Sequence, residues 1–199
     1  MSKSRRAVLE TALLVGLAVV IAVLLRAFVA QAFRIPSASM EPQLLVGDRV
    51  VVSRLAYDLH EPNRGDIVVF DCPPAAGCED RADDALPARA FKTLAEALLL
   101  RQPEVEEFIK RVIALPGETV EGHDGHVFVD GRRLVEPYLP AGTTTSDFGP
   151  VTVEDDRLWV MGDNRGNSAD SRVFGQIEQR TIVGRAIARV WPPTRIAFL

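Results

Sequence analysis

Histidine, cysteine and clustered basic residues are all scarce in this chain of 199 residues, and each shortage removes a class of function. The 23 basic residues are outnumbered by 27 acidic ones, for a formal net charge of −4. With no Lys/Arg face interleaved with aromatics and no finger spacing, nucleic acid is not an expected partner. The two cysteines, Cys72 and Cys78, come with no histidine cluster and no second pair, which makes a poor zinc site. Neither a metal nor another cofactor is expected. His60 lies in the turn-like "DLHEPNRGD", and His123 and His126 bracket "DG" in another turn, so all three read as solvated loop residues rather than partners of a catalytic serine. Internal repeats and low-complexity segments are also missing, which leaves room for one ordinary domain plus an appendage.

Long apolar runs are absent too, with one exception. Lys3, Arg5 and Arg6 precede "VLETALLVGLAVVIAVLLRAFVA", residues 8 to 30, interrupted only by Glu10 and Arg26. That run has roughly the length needed to cross about 30 Å of hydrocarbon. The two charges lie near its ends, where they can snorkel toward head groups. The positive-inside rule then gives a cytoplasmic tail at 1–7, a single-pass anchor in the lipid of the cell membrane at 8–30, and an extracytoplasmic domain at 33–199. A cleaved secretory signal is the alternative, because "AQA" at 30–32 has the small-x-small form. Arg26 between the run and that site, together with the length of the run, favours a retained anchor. Either way the rest of the chain is exported. In an oxidising compartment Cys72 and Cys78, which flank the turn-prone "PPAAG", are expected to close a small disulfide ring.

Beyond residue 42 the pattern turns to period two and β-branched residues. "DRVVVSRL", "GDIVVFD", "GHVFVDGRRLVE", "DRLWVMGD" and "TIVGRAIARVW" read as strands of a mostly β domain, with Asp130-Gly131 a two-residue hairpin turn. "ALPARAFKTLAEALLLRQPEVEEFI" departs from this, since Phe91, Leu94, Ala95, Leu98 and Leu99 recur at helical spacing. It reads as a helical insertion, packed on a sheet edge or else binding a partner or a membrane surface.

Chemistry concentrates in three stretches. "FRIPSASMEP", residues 33–42, sets two serines one residue apart, and an extended segment, which Pro36 and Pro42 encourage, points Ser37 and Ser39 to one face. A nucleophilic serine needs a base. "EEFIKRVIALPGE" offers Lys110 in an apolar strand-like run, where strand alternation turns Lys110 inward with Phe108 and Val112 and leaves Arg111 in water. Burial disfavours the ammonium and makes a lysine a usable base. An ordinary snorkelling lysine is the alternative for Lys110 taken alone. "MGDNRGNSADSRVFG", residues 161–175, gathers Asp163, Asn164, Arg165, Asn167, Ser168, Asp170, Ser171 and Arg172 into a loop expected to be fixed by its own hydrogen bonds.

"PSASMEPQLLVGDRVVV", "FIKRVIALPGE" and "GDNRGNSADSRVFG", in this order behind an N-terminal apolar segment, resemble the bacterial type I signal peptidase family, the Ser/Lys endopeptidases that remove signal peptides from exported preproteins. The likeness covers nearly the whole chain from Phe33 onward. It implies an antiparallel β-sheet catalytic domain behind one N-terminal transmembrane helix, while the helical insertion at about 72–103 falls where many members have a short link, so its role is not covered by the likeness. It further implies Ser39 as nucleophile, Lys110 as general base, and Ser37 with the Ser39 backbone N–H as oxyanion-hole donors. Ser168 would orient the amine, Asp170 and Arg172 would pair, and Asp163 and Asn164 would support the loop. The expected specificity is cleavage after Ala-x-Ala, with Ile35, Met40, Val112 and Ile113 lining the substrate site. "AQA" would then itself be cut by a second copy of the chain. Departures from the family pattern are Gln43, Ala114, Glu118 and Gly166, none of them a reacting group. Two rivals stand beside this reading. A self-cleaving Ser/Lys repressor-like domain is disfavoured by the apolar segment and the missing DNA-binding region, and a catalytically silent, membrane-tethered partner-binding domain is separable by peptide turnover.

Overall fold

Residues 10–19, 30–77 and 107–199 are described by the structure, a computed structural model. The β-branched runs form strands as the sequence pattern predicts. In chain order these are β1 (Ala30–Arg34), β2 (Arg49–Ser53), β3 (Ile67–Asp71), β4 (Glu107–Ala114), β5 (Thr119–His123), β6 (His126–Val129), β7 (Arg132–Arg133), β8 (Phe148–Thr152), β9 (Arg157–Met161), β10 (Ile177–Glu178), β11 (Ile182–Trp191) and β12 (Ala197–Phe198). One sheet runs β1-β2-β11-β3-β4-β9-β10 with β12 on β11, and a smaller one runs β7-β6-β5-β8. The registered pairs are antiparallel. Between β6 and β7, Asp130 and Gly131 both take positive φ, at 49° and 70°, which is the two-residue turn that Asp-Gly favours.

The chain divides into two compact units, Met1–Gln31 with Ala82–Glu104 and Ala32–Arg81 with Val105–Leu199. In the first, residues 10–19 are helical, and Leu13, Leu14, Val15, Leu17 and Val19 are each more than half exposed. Among the described residues no helix is long and apolar enough to cross a membrane. Residues 8, 9 and 20–29 of the expected anchor lie outside the described residues, as does the expected helix carrying Phe91 to Leu99. Of the insertion only 72–77 is described, with a short 3-10 turn at Pro74–Ala76. Cys72 is disulfide-bonded, while its expected partner Cys78 lies outside the described residues.

The second unit has three apolar clusters, and β4 feeds all of them. Ile109 joins Ile35, Met40, Leu44 and Val50; Ile113 joins Val120, Val127 and Trp159; Val112 joins Val68, Phe70 and Leu158. From Ile109 to Ala114 every residue is buried. β4 is therefore covered on both faces, and its side chains have no solvent side.

β11 lies between β2 and β3, and at Gly184 it runs close against β2. A Cβ there would sit 2.3 Å from the Ser53 carbonyl oxygen and 2.9 Å from its carbonyl carbon, backbone atoms that cannot swing aside. Gly184→Ala is therefore expected to force the two strands apart and cost about 2 kcal/mol or more, read as a lower urea midpoint.

Candidate active site

Ser39 sits in a short 3-10 turn, Ala38–Met40, which follows an extended Ser37. The extended segment expected from the two prolines is thus corrected. Met40 is fully buried in the first cluster and pulls the chain inward there, with Leu44 N–H donating to the Met40 carbonyl at 2.8 Å. The turn still brings both hydroxyls together, with Ser37 Oγ 3.3 Å from Ser39 Oγ. Asn164 holds the turn from the other side. Its backbone N–H donates to the Ser39 carbonyl at 3.0 Å, and its Nδ2 donates to the Ala38 carbonyl at 3.1 Å.

Lys110 is 4 % exposed and Ser39 7 %. Lys110 Nζ donates to Ser39 Oγ at 2.9 Å and to the Ile109 carbonyl at 2.9 Å, and it lies 5.3 Å from the centroid of the Phe108 ring. Burial lowers the amine's pKa from its ordinary 10.5 to about 8, against the opposing pull of Asp170 and Asp163. Once neutral, the amine has a lone pair that can accept the Ser39 proton along the same 2.9 Å line. A hydroxyl and a neutral amine so placed can carry out nucleophilic acyl transfer.

Arg111 does not stay in water. It is 6 % exposed, its Nε and Nη2 fork onto Asp163 at 2.8 and 2.7 Å, its Nη1 donates to the Gly65 carbonyl at 2.8 Å, and its guanidinium lies 3.9 Å from the Tyr138 ring centroid. Strand alternation did turn it away from Lys110, but with both faces of β4 covered the far side is also interior. The continuous apolar run around the Lys-Arg doublet is the sequence signal for such a strand.

Two further pairs brace the loop. Burial alone would push the Asp170 carboxyl up, yet Arg172, forked onto it at 2.8 and 2.8 Å, and the Gly162 N–H at 3.0 Å more than offset this and hold it low. Ser171 Oγ accepts from the Val160 N–H at 2.9 Å. Gly162, which the sequence reading passed over, is the tightest point. A Cβ there would fall 2.2 Å from Ser168 Oγ and 2.5 Å from the Ser39 carbonyl oxygen. Ser168 thus lies against the same glycine as the Ser39 backbone, and its buried hydroxyl is one of the groups that help to hold the Asp170 carboxyl low.

The residues expected to line the substrate site are core residues. Ile35 and Met40 belong to one core cluster, Val112 and Ile113 to two others, and all four are buried. His60 bonds the Glu61 carbonyl in an exposed turn, but His123 and His126 are not loop residues: His123 ends β5, stacked on Phe128, and His126 opens β6, because the Asp-Gly turn between them is only two residues long. Glu118 accepts from the Leu115 N–H and pairs with Arg64 at 2.6 Å, fixing the turn after β4. Among the described residues no group of three or more His, Cys, Asp or Glu side chains is placed to hold a metal ion.

By comparison with known proteins, this mostly β domain is that of a peptidase. The chain belongs to the signal peptidase family, peptidase S26, whose model matches residues 8–191. It is 40% identical over 182 residues to a probable signal peptidase I-2 of Synechocystis, covering 92% of this chain and 72% of that protein. To signal peptidase I of Mycobacterium tuberculosis it is 37% identical over 215 residues, covering 94% and 73%. A crystal structure of a signal peptidase I from Enterococcus faecalis overlaps 63% of this chain and 96% of that one at 27% identity, with a TM-score of 0.43. Membership of this family makes the chain an enzyme that removes signal peptides from preproteins.

Arg111 supplies the test of the loop's bracing. Arg111→Lys keeps the charge but loses the fork to Asp163 and the stacking on Tyr138, so it is expected to cost about 1–3 kcal/mol in stability and to lower peptide turnover measurably. Thermal unfolding and initial rates on an Ala-x-Ala peptide check it, and a variant equal to wild type in both would remove the role of the fork.

Proposed function

We propose that this chain is a membrane-anchored serine endopeptidase in which Ser39 is the nucleophile and neutral Lys110 the general base, cleaving after Ala-x-Ala-like sites. The observation that carries the reading is the 2.9 Å contact between Ser39 Oγ and a buried amine whose pKa falls to about 8. In the first step Ser39 Oγ bonds to the scissile carbonyl carbon as its proton passes to Lys110 Nζ. The oxyanion that forms is held by Ser37 Oγ and the Ser39 N–H; a donor in such a position is typically worth about 3–4 kcal/mol. The tetrahedral intermediate collapses, the scissile C–N bond breaks, and the Lys110 ammonium gives its proton to the departing amine. Water then attacks the acyl-serine with Lys110 again as base, releasing the new carboxylate and restoring Ser39.

Ser168 is placed in this scheme as the residue that orients the amine, and Asp163, Asn164, Asp170 and Arg172 as the loop that fixes it. The exposed apolar side chains of the 10–19 helix support an anchor in lipid, with the peptidase domain on the extracytoplasmic side, where preprotein cleavage sites emerge. Cys72 and Cys78 are taken as one local disulfide. Ile35, Met40, Val112 and Ile113 are taken as the residues that line the substrate site.

The test is peptide turnover against pH. At pH 7 only about a tenth of an amine with pKa near 8 is neutral, so kcat/KM is expected to climb roughly tenfold from pH 7 and level off above about 9. Ser39→Ala and Lys110→Arg are each expected to lose about a thousandfold or more in turnover, since a guanidinium accepts no proton. Lys110→Met should be equally inactive yet more stable than wild type at pH 7. The folded amine has the lower pKa, so the unfolded chain holds more protons between about 8 and 10.5, and wild-type stability rises across that window as the burial cost is relieved. Substantial turnover by Lys110→Arg would sink the assignment of the base.

A further inference from the structure

Two residues that no motif picks out close the 162–165 turn into a ring of charges. Glu136 and Tyr138 lie in "VEPYL", after β7. The Glu136 carboxylate accepts from Arg165 Nη1 at 3.1 Å and Nη2 at 2.5 Å, with side chains only 10 % and 1 % exposed respectively. It also accepts from the Tyr138 hydroxyl at 2.7 Å. The Tyr138 ring carries the Arg111 guanidinium, Arg111 forks onto Asp163, and Asp163 follows Gly162, whose carbonyl accepts from Arg165 Nε at 3.1 Å. Arg165 is anchored further by Nη1 donating to Thr145 Oγ1 at 3.0 Å. The ring holds two cations and two anions, and so is neutral.

We infer that Glu136 and Tyr138 are positioning residues for the reaction, acting on Ser39 and Lys110 through the 162–165 turn and through Arg111. The inference rests on the Ser/Lys reading of the site. From Glu136 the route to the nucleophile is short. Arg165 holds the Gly162 carbonyl, and Gly162 lies so close to the Ser39 carbonyl that its missing Cβ would sit 2.5 Å away. From Tyr138 there are two routes, through its ring to Arg111, the chain neighbour of Lys110, and through its hydroxyl to Glu136 and so to Arg165, the second being the one that Tyr138→Phe removes.

Glu136 also sets the charge felt by the base. The carboxylates that act on Lys110 are Asp170, paired with Arg172, and Asp163, paired with Arg111. Both favour its ammonium form. Burial disfavours the Arg165 guanidinium, and the pairing with Glu136 more than offsets that. Without the Glu136 charge, Arg165 becomes an uncompensated cation beside Asp163, which then answers to two arginines. The Lys110 ammonium loses part of its support, so the neutral amine persists to lower pH.

The experiment uses the full chain in detergent as wild type, Glu136→Gln, Tyr138→Phe and the double variant Glu136→Gln/Arg165→Gln. Two readouts are taken across pH: kcat and KM on an Ala-x-Ala peptide, and acetylation of Lys110 by acetic anhydride followed by mass spectrometry. Lys110 is one of three lysines in the chain, with Lys3 and Lys92, so its peptide is easily assigned. In Glu136→Gln, kcat is expected to fall about tenfold with KM within about twofold. The acid limb of kcat/KM and the acetylation midpoint should both move down by about half a pH unit. The double variant should return both midpoints to the wild-type value while kcat stays low. Tyr138→Phe should lose about threefold in kcat with its midpoints and thermal unfolding unchanged. Unmoved midpoints in folded Glu136→Gln overturn the inference, as does wild-type kcat in that variant. If Glu136→Gln does not fold, wild-type kcat in Tyr138→Phe overturns it and the threefold loss at unchanged stability supports it. A wild type whose activity survives Ser39→Ala would sink the Ser/Lys reading instead, and the acetylation midpoints would still decide the role of Glu136.

Discussion

Taking the Lys110 amine out of water is the constraint around which the rest of the site is arranged. A shift from 10.5 to about 8 corresponds to about 3 kcal/mol by which the buried ammonium is disfavoured relative to the free side chain. That is a large share of the 5–15 kcal/mol by which domains are typically stable. The fold tolerates it because β4 is gripped on both faces: Ile109, Val112 and Ile113 each enter a different apolar cluster, so the strand cannot slide or tilt to let the lysine out. The same grip keeps Nζ within 2.9 Å of Ser39 Oγ.

Burial alone does not decide how far the amine is tuned. Asp163 and Asp170 both act to raise its pKa, and bare carboxylates at those places would return the lysine toward an inert cation. Each is instead forked by its own arginine, Arg111 and Arg172. Neutralised in this way, the two carboxylates can serve as rigid struts of the 162–172 loop while pulling only weakly on the base. An arginine suits that work better than a lysine because its planar fork meets both carboxylate oxygens at once and gives up no proton in the working pH range.

Much of this arrangement was legible in the sequence, and the failures have physical causes. Strand identities followed from β-branched period-two runs, and Asp130-Gly131 marked its hairpin because few other pairs accept positive φ at both positions. The three stretches carrying Ser39, Lys110 and the polar loop do converge. Alternation failed at Arg111 because it reports which face a residue takes and not whether that face is wet, and on β4 neither is. The Ser37–Ser39 segment was misread as extended, since the burial of Met40 and the hold of Asn164 on the Ala38 and Ser39 carbonyls are tertiary effects that local proline preferences do not register. Glu136 and Tyr138 escaped notice for a similar reason: nothing in "VEPYL" shows that the chain will return to lie against residues 111 and 165.

The turn at Ser39 does something that an extended strand would not. Residues i and i+2 of a strand share a face, but their hydroxyls are aimed in parallel, and both would face the same point of a substrate. Within a 3-10 turn the chain bends between Ser37 and Ser39, so the two hydroxyls meet at 3.3 Å while Ser39 is drawn inward to Lys110 and Ser37 stays exposed. One hydroxyl is thereby bonded to the Lys110 amine, and its neighbour remains exposed. Gly162 makes this possible, because with no side chain at that point the polar loop can close to within contact of the Ser39 carbonyl and hold the turn bent. The different settings of two serines of the same chemistry, one buried against an amine and one exposed, thus come from the backbone, set by one glycine and one asparagine on a loop more than 120 residues further along the chain.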